Sequence, residues 1–468
     1  MRSDESRIWA LEEFGELEAP DARLRARVTR MANRASQYGG GRISEVFRDP
    51  AERQGAYDLL EGGRVPGEAL VAAMASACVA RSEKERFVFV PLDGSSISVV
   101  DRRRRTDLGV VGAYGRKGRG LQVVTALAVS AGGTTLGVCA QTWWSRPTVR
   151  RKRGPSKYRP VHERESRFYV DTIRDVLRRY DQSPCKPWIV IDRGGDAIVM
   201  LDELVRGDRL FTVRSSWNRR VLDGGRMRRL HQLLEKQQVR LQYTLDVPAA
   251  YNRRARTAQL AVRAARVELD VRHDWCAKRA NPVVNVVWVR ELRPPHGEQP
   301  LDWMLFTNAP IATAEDLRLV VRSYTMRWRI EDFHKTWKSG HCRVEDTKLR
   351  SVAAVKTWAT LLAAVATRVE RLKHLARNQP EAPATIELSD LEIEALKFMK
   401  LQRKNKTEVI GPGIPSIELA VRWIADLGGY TGKSSGGPPG ATTIGRGLDD
   451  LAIATALFRG LKAAGKMR

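Results

Sequence analysis

The chain has 468 residues, enough for two or three domains with a buried core, and 43% of them are hydrophobic, which excludes a disordered protein. Lys plus Arg number 81 against 54 for Asp plus Glu, a formal net charge of +27. An excess of that size attracts polyanions and points to nucleic acid, with a ribosome-like structural protein or arginine-rich codon usage as the plainer alternatives.

The five cysteines, Cys78, Cys139, Cys185, Cys276 and Cys342, are scattered and form no CxxC pair. This argues against a disulfide framework or a structural zinc site and fits a reducing cytoplasm. The opening segment MRSDESRIWALEEF carries acids and no apolar core, so no secretory signal is expected. Apolar stretches such as Leu121 to Ala131 are shorter than the roughly 20 residues that span a bilayer, so no membrane is expected.

In chain order, residues 1 to about 75 read as helical and basic. From Asp21, a plausible N-cap, to Tyr38, Leu24, Val28, Met31 and Ala35 recur at helical spacing while Arg23, Arg27, Arg30 and Arg34 take other positions. A second helix is expected near Pro50 to Leu60. Strand-like runs follow at Phe87 to Leu92, ending at Asp93, and at Ile97 to Val100, Leu121 to Val129 and Thr135 to Trp143. Basic loops are expected at Arg102 to Arg105 and Arg146 to Arg159. A helix over about Glu163 to Tyr180 leads to a strand, Trp188 to Ile191, ending at Asp192. Then come a helix near Ala197 to Val205 and a strand at Leu210 to Arg214, a mixed α/β pattern. Residues from about Gln238 to Thr307 read as β-rich. One long helix is expected over Ala314 to Ser339, with Thr313 as N-cap, and another over Val352 to Arg377. Pro380 to Pro383 marks a boundary before a helical tail interrupted at Gly428-Gly429 and at Ser434 to Gly440.

The segment YTMRWRIEDFHKTWK over 324 to 338 carries the chemistry. On one helix, Tyr324, Arg327, Glu331 and Lys338 would share an arc of roughly 60°, away from Met326, Ile330, Phe333 and Trp337. A phenol, a guanidinium, a carboxylate and an amine would then line one polar face; a solvated face with incidental ion pairs is the plain alternative. Asp93 before Gly94 reads equally as a turn aspartate, and Asp192 as a helix cap. Three acids together suit hard Mg²⁺, and the seven dispersed histidines offer no softer site.

The spacing Tyr324-x2-Arg327-x3-Glu331-x6-Lys338 resembles the signature of the insertion-sequence-four group of bacterial DDE cut-and-paste transposases. Asp93 resembles that group's first catalytic aspartate, and Asp192-Arg193-Gly194-Gly195-Asp196 is similar to its second acidic block, departing at the two glycines. The resemblance implies a multidomain α/β protein whose ribonuclease-H-like catalytic domain, 76 to 375, carries a β-rich insertion at about 238 to 307. It implies a helical N-terminal DNA-end-binding domain over 1 to 75 and a helical C-terminal dimerisation domain over 376 to 468. Asp93, Asp192 and Glu331 would be the catalytic, metal-holding acids, with two Mg²⁺ ions per site and Mn²⁺ as substitute.

By the same resemblance Tyr324, Arg327 and Lys338 would contact the phosphate near the cleaved end, with Arg214 holding the terminal phosphate, and Trp303 would stack on a flipped base. Arg193, beside Asp192, and the arginines of the first long helix complete the expected DNA contacts. The expected partners are double-stranded DNA, as terminal inverted repeats and as target, and a second copy of the chain in a synaptic complex. The expected reaction is cleavage at the repeats through a hairpin, then strand transfer, in a cytoplasmic, nucleoid-associated protein. The alternatives are a catalytically silent transposase-derived DNA-binding protein or inhibitor, and a ribonuclease-H-like nuclease without strand transfer.

Overall fold

The computed structural model describes residues 9–101, 107–112, 118–148, 159–207, 209–247, 254–270, 281–403, 410–433 and 437–465. The expected basic loops at Arg102 to Arg105 and over most of Arg146 to Arg159 lie outside these residues, as does part of the Ser434 to Gly440 break.

In chain order the elements are α1 (Trp9–Phe14), α2 (Ala22–Gln37), α3 (Ile43–Val46), α4 (Pro50–Glu61), α5 (Gly67–Ser82), β1 (Phe87–Val99), β2 (Gly109–Val110), β3 (Arg119–Ser130) and β4 (Thr135–Trp144). There follow α6 (Ser166–Arg179), β5 (Lys186–Ile191), α7 (Ile198–Arg206), β6 (Phe211–Arg214), β7 (Arg220–Asp223), β8 (Arg226–Arg229), α8 (Leu230–Glu235), β9 (Leu241–Val247), β10 (Arg256–Leu269), β11 (Val283–Leu292) and β12 (Asp302–Thr307). The last are α9 (Ala314–Thr325), α10 (Trp328–Lys338), α11 (Val352–Asn378), α12 (Asp390–Arg403), α13 (Ile417–Leu427) and α14 (Ala441–Ala463).

The chain divides into two compact units. The first holds residues 1–85, 94–150 and 329–468; the second holds 86–93 and 151–328. β1 contributes its first half, through Asp93, to the second unit and its second half, from Gly94, to the first.

In the first unit β3 neighbours β1 and β2, and β3 pairs antiparallel with β4. Helix α11 is the centre of packing, touching α2, α4, α5, α13, α14 and β4. It is apolar and long enough to cross a membrane by length and composition, but 83% of its most apolar window is buried within the protein. A second core joins its C-terminal half to α12, α13 and α14 through Leu372, Leu396, Trp423, Ile424, Ile444 and Leu448. Asp21 caps α2 by accepting from the Leu24 N–H at 2.8 Å, as its position predicts. Asp49 caps α4 in the same way. A polar contact fastens α14 to the loop after α2: Asp449 Oδ1 accepts from the Gly39 N–H at 3.1 Å and lies 3.4 Å from His341 Nε2.

In the second unit the strand order is β1-β5-β6-β12-β11-β10-β7-β8, with β9 on β10. β1, β5 and β6 run parallel, and the pairings of β6 with β12 and of β7 to β12 among themselves are antiparallel. The parallel strands are apolar on both faces, as Val88 to Leu92 and Pro187 to Ile191 show. The architecture is therefore mixed α/β.

Three expectations need correction. The runs at Phe87 to Leu92 and Ile97 to Val100 are one strand, so Asp93 lies within β1 and does not close it. What ends at that point is the pairing with β5, whose last partners are Leu92 and Ile191. The single helix over Ala314 to Ser339 is two helices. Thr313 and Asp316 form a capping box at the start of α9, as expected, but α9 stops at Thr325. There the Arg327 N–H bonds back to the Tyr324 carbonyl at 3.1 Å, a tightened turn before α10 begins. Antiparallel structure also begins at Arg220, ahead of the expected Gln238, because the β7–β8 hairpin is arginine-rich and carries no apolar alternation.

Candidate active site

Two of the three predicted acids meet in the second unit. Leu92 and Ile191 are register partners on adjacent parallel strands, so Asp93 and Asp192, the next residue on each, stand side by side at the carboxyl end of that pairing. Adjacent strands lie about 4.8 Å apart. Both aspartates are half-buried. Asp192 Oδ1 accepts from the Gly194 N–H at 2.7 Å and so caps the short turn Arg193–Gly195. A Cβ at Gly195 would lie 2.7 Å from the Ile191 side chain, so glycine lets this turn fold back over its own strand.

Asp196, four residues on, was not singled out as functional, yet it organises the neighbouring loop. Its side chain is fully buried and pairs with Arg219 at 2.7 Å. It also accepts from Ser215 Oγ at 3.1 Å and from the Ser216 N–H at 2.7 Å. Ser216 Oγ in turn donates to the Arg193 carbonyl at 2.7 Å, so the 215–219 loop is tied to the turn that follows Asp192. Arg193 itself is exposed. A charged pair at spacing 23 gives no local signal in a sequence.

A second group gathers on Tyr324, also in the second unit. Arg214 donates to its hydroxyl at 3.3 Å and to the Asp302 carbonyl at 2.9 Å. The guanidinium carbons of Arg214 and Arg327 each lie 5.9 Å from the Tyr324 ring centroid. The half-buried Trp303 stands 5.5 Å from Tyr324, ring to ring, tilted by 60°. Trp303, Tyr324, Arg214 and Arg327 are therefore one cluster. Tyr324 is only 3% exposed, so it acts as the support of two arginines and a tryptophan.

The first unit holds Glu331 and Lys338 on α10, two helical turns apart and hence on one face. The shared arc predicted for four residues thus holds for these two, since Tyr324 and Arg327 precede α10. Glu331 is half-buried, in the first turn of α10. Lys338 Nζ lies 3.4 Å from Ser95 Oγ and 3.7 Å from Glu345, whose carboxylate also takes the Ser98 N–H at 2.9 Å.

Beside them α10 and α11 bring together Asp332, Glu370 and His374, which the sequence reading did not foresee. Lys373 pairs with Asp332 at 3.2 Å and with Glu370, and Thr336 Oγ1 donates to Glu370 at 2.5 Å. His374 is fully buried, with Nδ1 3.0 Å from Thr135 Oγ1 and Nε2 2.9 Å from Arg329. Burial, then the charges of Arg329, Lys373 and Arg377, hold its pKa far below the ordinary value and keep it neutral. A lysine ammonium already fills this group and both imidazole nitrogens are engaged. It is a buried ion network that fastens α10 to α11, and its donors do not suit a metal.

The arginines of α2 share one face but not one environment. Arg27 donates to the Gly55 carbonyl at 3.2 Å, and Arg34 pairs with Glu52 at 3.1 Å and covers the Tyr38 ring at 5.1 Å. Arg23 and Arg30 are exposed.

The parallel pairing of β1 with β5 thus ends beside two aspartates, in a strongly basic chain. Residues 162–368 match the family of the transposase DDE domain, and residues 6–65 match that of the transposase DNA-binding domain. The chain is therefore a DDE transposase, an enzyme that acts on DNA. The first match includes Asp192 and Glu331 and begins after Asp93; the second includes the arginine face of α2. Membership in this family implies dependence on a divalent metal.

Proposed function

We propose that this chain is a cut-and-paste transposase of the insertion-sequence-four group, using Asp93, Asp192 and Glu331 as its catalytic acids. The observation that carries the reading is the register of β1 and β5, which sets Asp93 beside Asp192 at the end of the parallel pairing. Glu331 joins the set through its place in the signature sequence and within the DDE-domain match.

The donors fit hard divalent ions: carboxylates, half-exposed, with one oxygen of Asp192 already oriented by the Gly194 N–H. Asp93, Asp192 and Glu331 would hold two Mg²⁺ ions, with Mn²⁺ as substitute. When bound, such ions neutralise charge on the phosphate and help activate the attacking oxygen. Arg214 and Arg327, stacked on Tyr324, would hold a DNA phosphate, and Lys338 would add a point charge. Trp303, in the same cluster, would receive a base turned out of the duplex, offsetting its lost stacking. Arg193 and the arginines of α2 would contact DNA, with the exposed Arg23 and Arg30 the more available to phosphate.

In sequence, cleavage at each terminal inverted repeat would pass through a hairpin and end in joining to target DNA. The work would be done by a homodimer, dimerised through residues 376–468, on nucleoid DNA in the cytoplasm. Residues 1–75 would bind the ends, and 76–375, with its β-rich insertion, would be the catalytic domain of ribonuclease-H-like type. The order β4-β3-β1 in the first unit and β1-β5-β6 in the second supports that type.

The test is cleavage of linear DNA carrying the repeats that flank the gene, with Mg²⁺. Asp192→Asn is expected to abolish nicking and joining while end binding persists. Terbium luminescence should report weaker metal binding by the same variant. Full cleavage by Asp192→Asn would overturn the acid assignment, and nicking by the unaltered protein without joining would identify a nuclease instead.

A further inference from the structure

We propose that Trp217 is a second platform for DNA, one that stacks on an unpaired base next to the Asp192 turn. The inference rests on the transposase reading and adds a contact to it. Trp217 is 68% exposed, an unusual state for the largest apolar side chain. It sits at the tip of the 215–219 loop, and that loop is held from several sides.

Ser215 Oγ shares its one proton between Asp196 and the Trp217 carbonyl, 2.9 Å away, and the Arg219 N–H donates to that carbonyl at 2.8 Å. The Ser215 N–H bonds to the Met304 carbonyl at 2.7 Å. Asn218 accepts at its carbonyl from Arg229 at 3.1 Å and at its side chain from the His231 N–H at 3.0 Å. Together with the Asp196 contacts, these fix the backbone on both sides of the indole. The side chain is therefore presented by a pre-ordered loop, and a ligand that covers it need not first order the chain.

The surroundings indicate what would cover it. Arg193, Arg220 and Arg229 are all exposed, and Arg220 and Arg229 face each other across the β7–β8 hairpin. Arg219 is neutralised by Asp196 and Arg220 pairs with Asp270 at 3.9 Å, while Arg193 and Arg229 give this face a positive sign. An exposed aromatic ring among arginines suits a base with its phosphates, since the ring takes the π-face and the guanidinium groups take the backbone. Ser216 ties this loop to Arg193, so the base would belong to DNA engaged at the Asp192 turn. Trp303 is a separate site: it is half-buried and packed on Tyr324.

The experiment compares the full-length protein with Trp217→Ala and Trp217→Phe, by fluorescence anisotropy. The probes are a thymine homopolymer of about 20 nucleotides, longer than typical single-strand site sizes, and a blunt duplex of similar length. Trp217→Ala is expected to weaken single-strand binding by about five- to a hundredfold, the range for loss of one stacked base. Duplex affinity and melting temperature should stay as in the unaltered protein, and Trp217→Phe should restore most of the loss. Unchanged single-strand binding by Trp217→Ala would overturn the inference and leave the transposase reading intact. Equal losses on both probes would also overturn it, because they would signal a general change in the loop. An unaltered protein that bound neither probe would instead count against the transposase reading as well.

Discussion

Replacing Asp196 by Ala removes one acceptor and leaves several donors facing inward. The carboxylate is fully buried, and Arg219, Ser215 and the Ser216 N–H all bond to it. Breaking a buried pair by deleting one partner costs about 3–5 kcal/mol. The Arg219 side chain is 17% exposed and can partly turn to water, which places the expected loss near the lower limit, about 3 kcal/mol. For a unit of this size each kcal/mol shifts melting by about 2–4 °C, so the transition that reports the second unit should fall by about 6–12 °C. Asp196→Asn keeps an oxygen acceptor and loses only the charge-assisted part, so its shift should be roughly half as large. Calorimetry measures both. Trypsin gives a local reading, because Arg219 and Arg220 are cleavage sites that the network holds in place. Faster cutting there in Asp196→Ala, ahead of global unfolding, is the expected result. Melting within a degree of the unaltered protein, with no gain in tryptic cutting, would refute the reasoning.

Two further outcomes follow from the first unit. Burial pushes the Asp449 carboxyl up to about 8, with Asp450 adding to it against the Gly39 N–H and Arg343, while burial with Arg343 and Arg446 pushes His341 down to about 4. Folded Asp449 keeps its proton to near pH 8 and the unfolded group loses it near 3.8, so its stabilisation is complete in acid and is lost as pH rises. His341 acts oppositely, and its contribution is lost as pH falls from 6.5 through about 4. Between pH 6.5 and 8 the loss from Asp449 outweighs the small remaining gain from His341, and stability should fall by about 1–2 kcal/mol. Asp449→Asn should flatten that fall in melting temperature, and parallel slopes for the two proteins would contradict it. Glu370→Ala strips the buried partner from Lys373 and Thr336, and should cost about 3 kcal/mol in thermal unfolding. Glu370→Gln, which keeps the Thr336 bond, should cost less; equal losses would show that the hydrogen bond contributes nothing.

Local signals in the chain made most elements legible. Asp21 and Thr313 are helix caps written in single residues, and both caps form as their positions predict. The apolar runs before Asp93 and Asp192 announce buried parallel strands, and their pairing sets the two acids together. The break at Met326 was illegible because 324 to 338 contains no glycine or proline, so helical periodicity runs through a turn that only the hydrogen bonds reveal. The β7–β8 hairpin escaped for the opposite reason, having cross-strand arginines where alternation is sought. Asp196 with Arg219, and Lys373 with Asp332, join charges across loops or between helices, and no spacing rule reaches such pairs, whereas Lys373 with Glu370 is an i,i+3 pair within α11.

The thiols of Cys78, Cys139, Cys185 and Cys342 are buried and outside any disulfide. Cys185 lies in the second unit and the other three in the first. Cys342 also bonds to the Leu362 carbonyl at 3.5 Å, and burial raises its pKa well above the ordinary value. A buried neutral thiol is inert to alkylation until the structure around it opens. With Cys276 replaced by Ser, the order in which an iodoacetamide label arrives therefore records which unit opens first, and DNA that closes around one unit would be seen as a thiol that stops reacting.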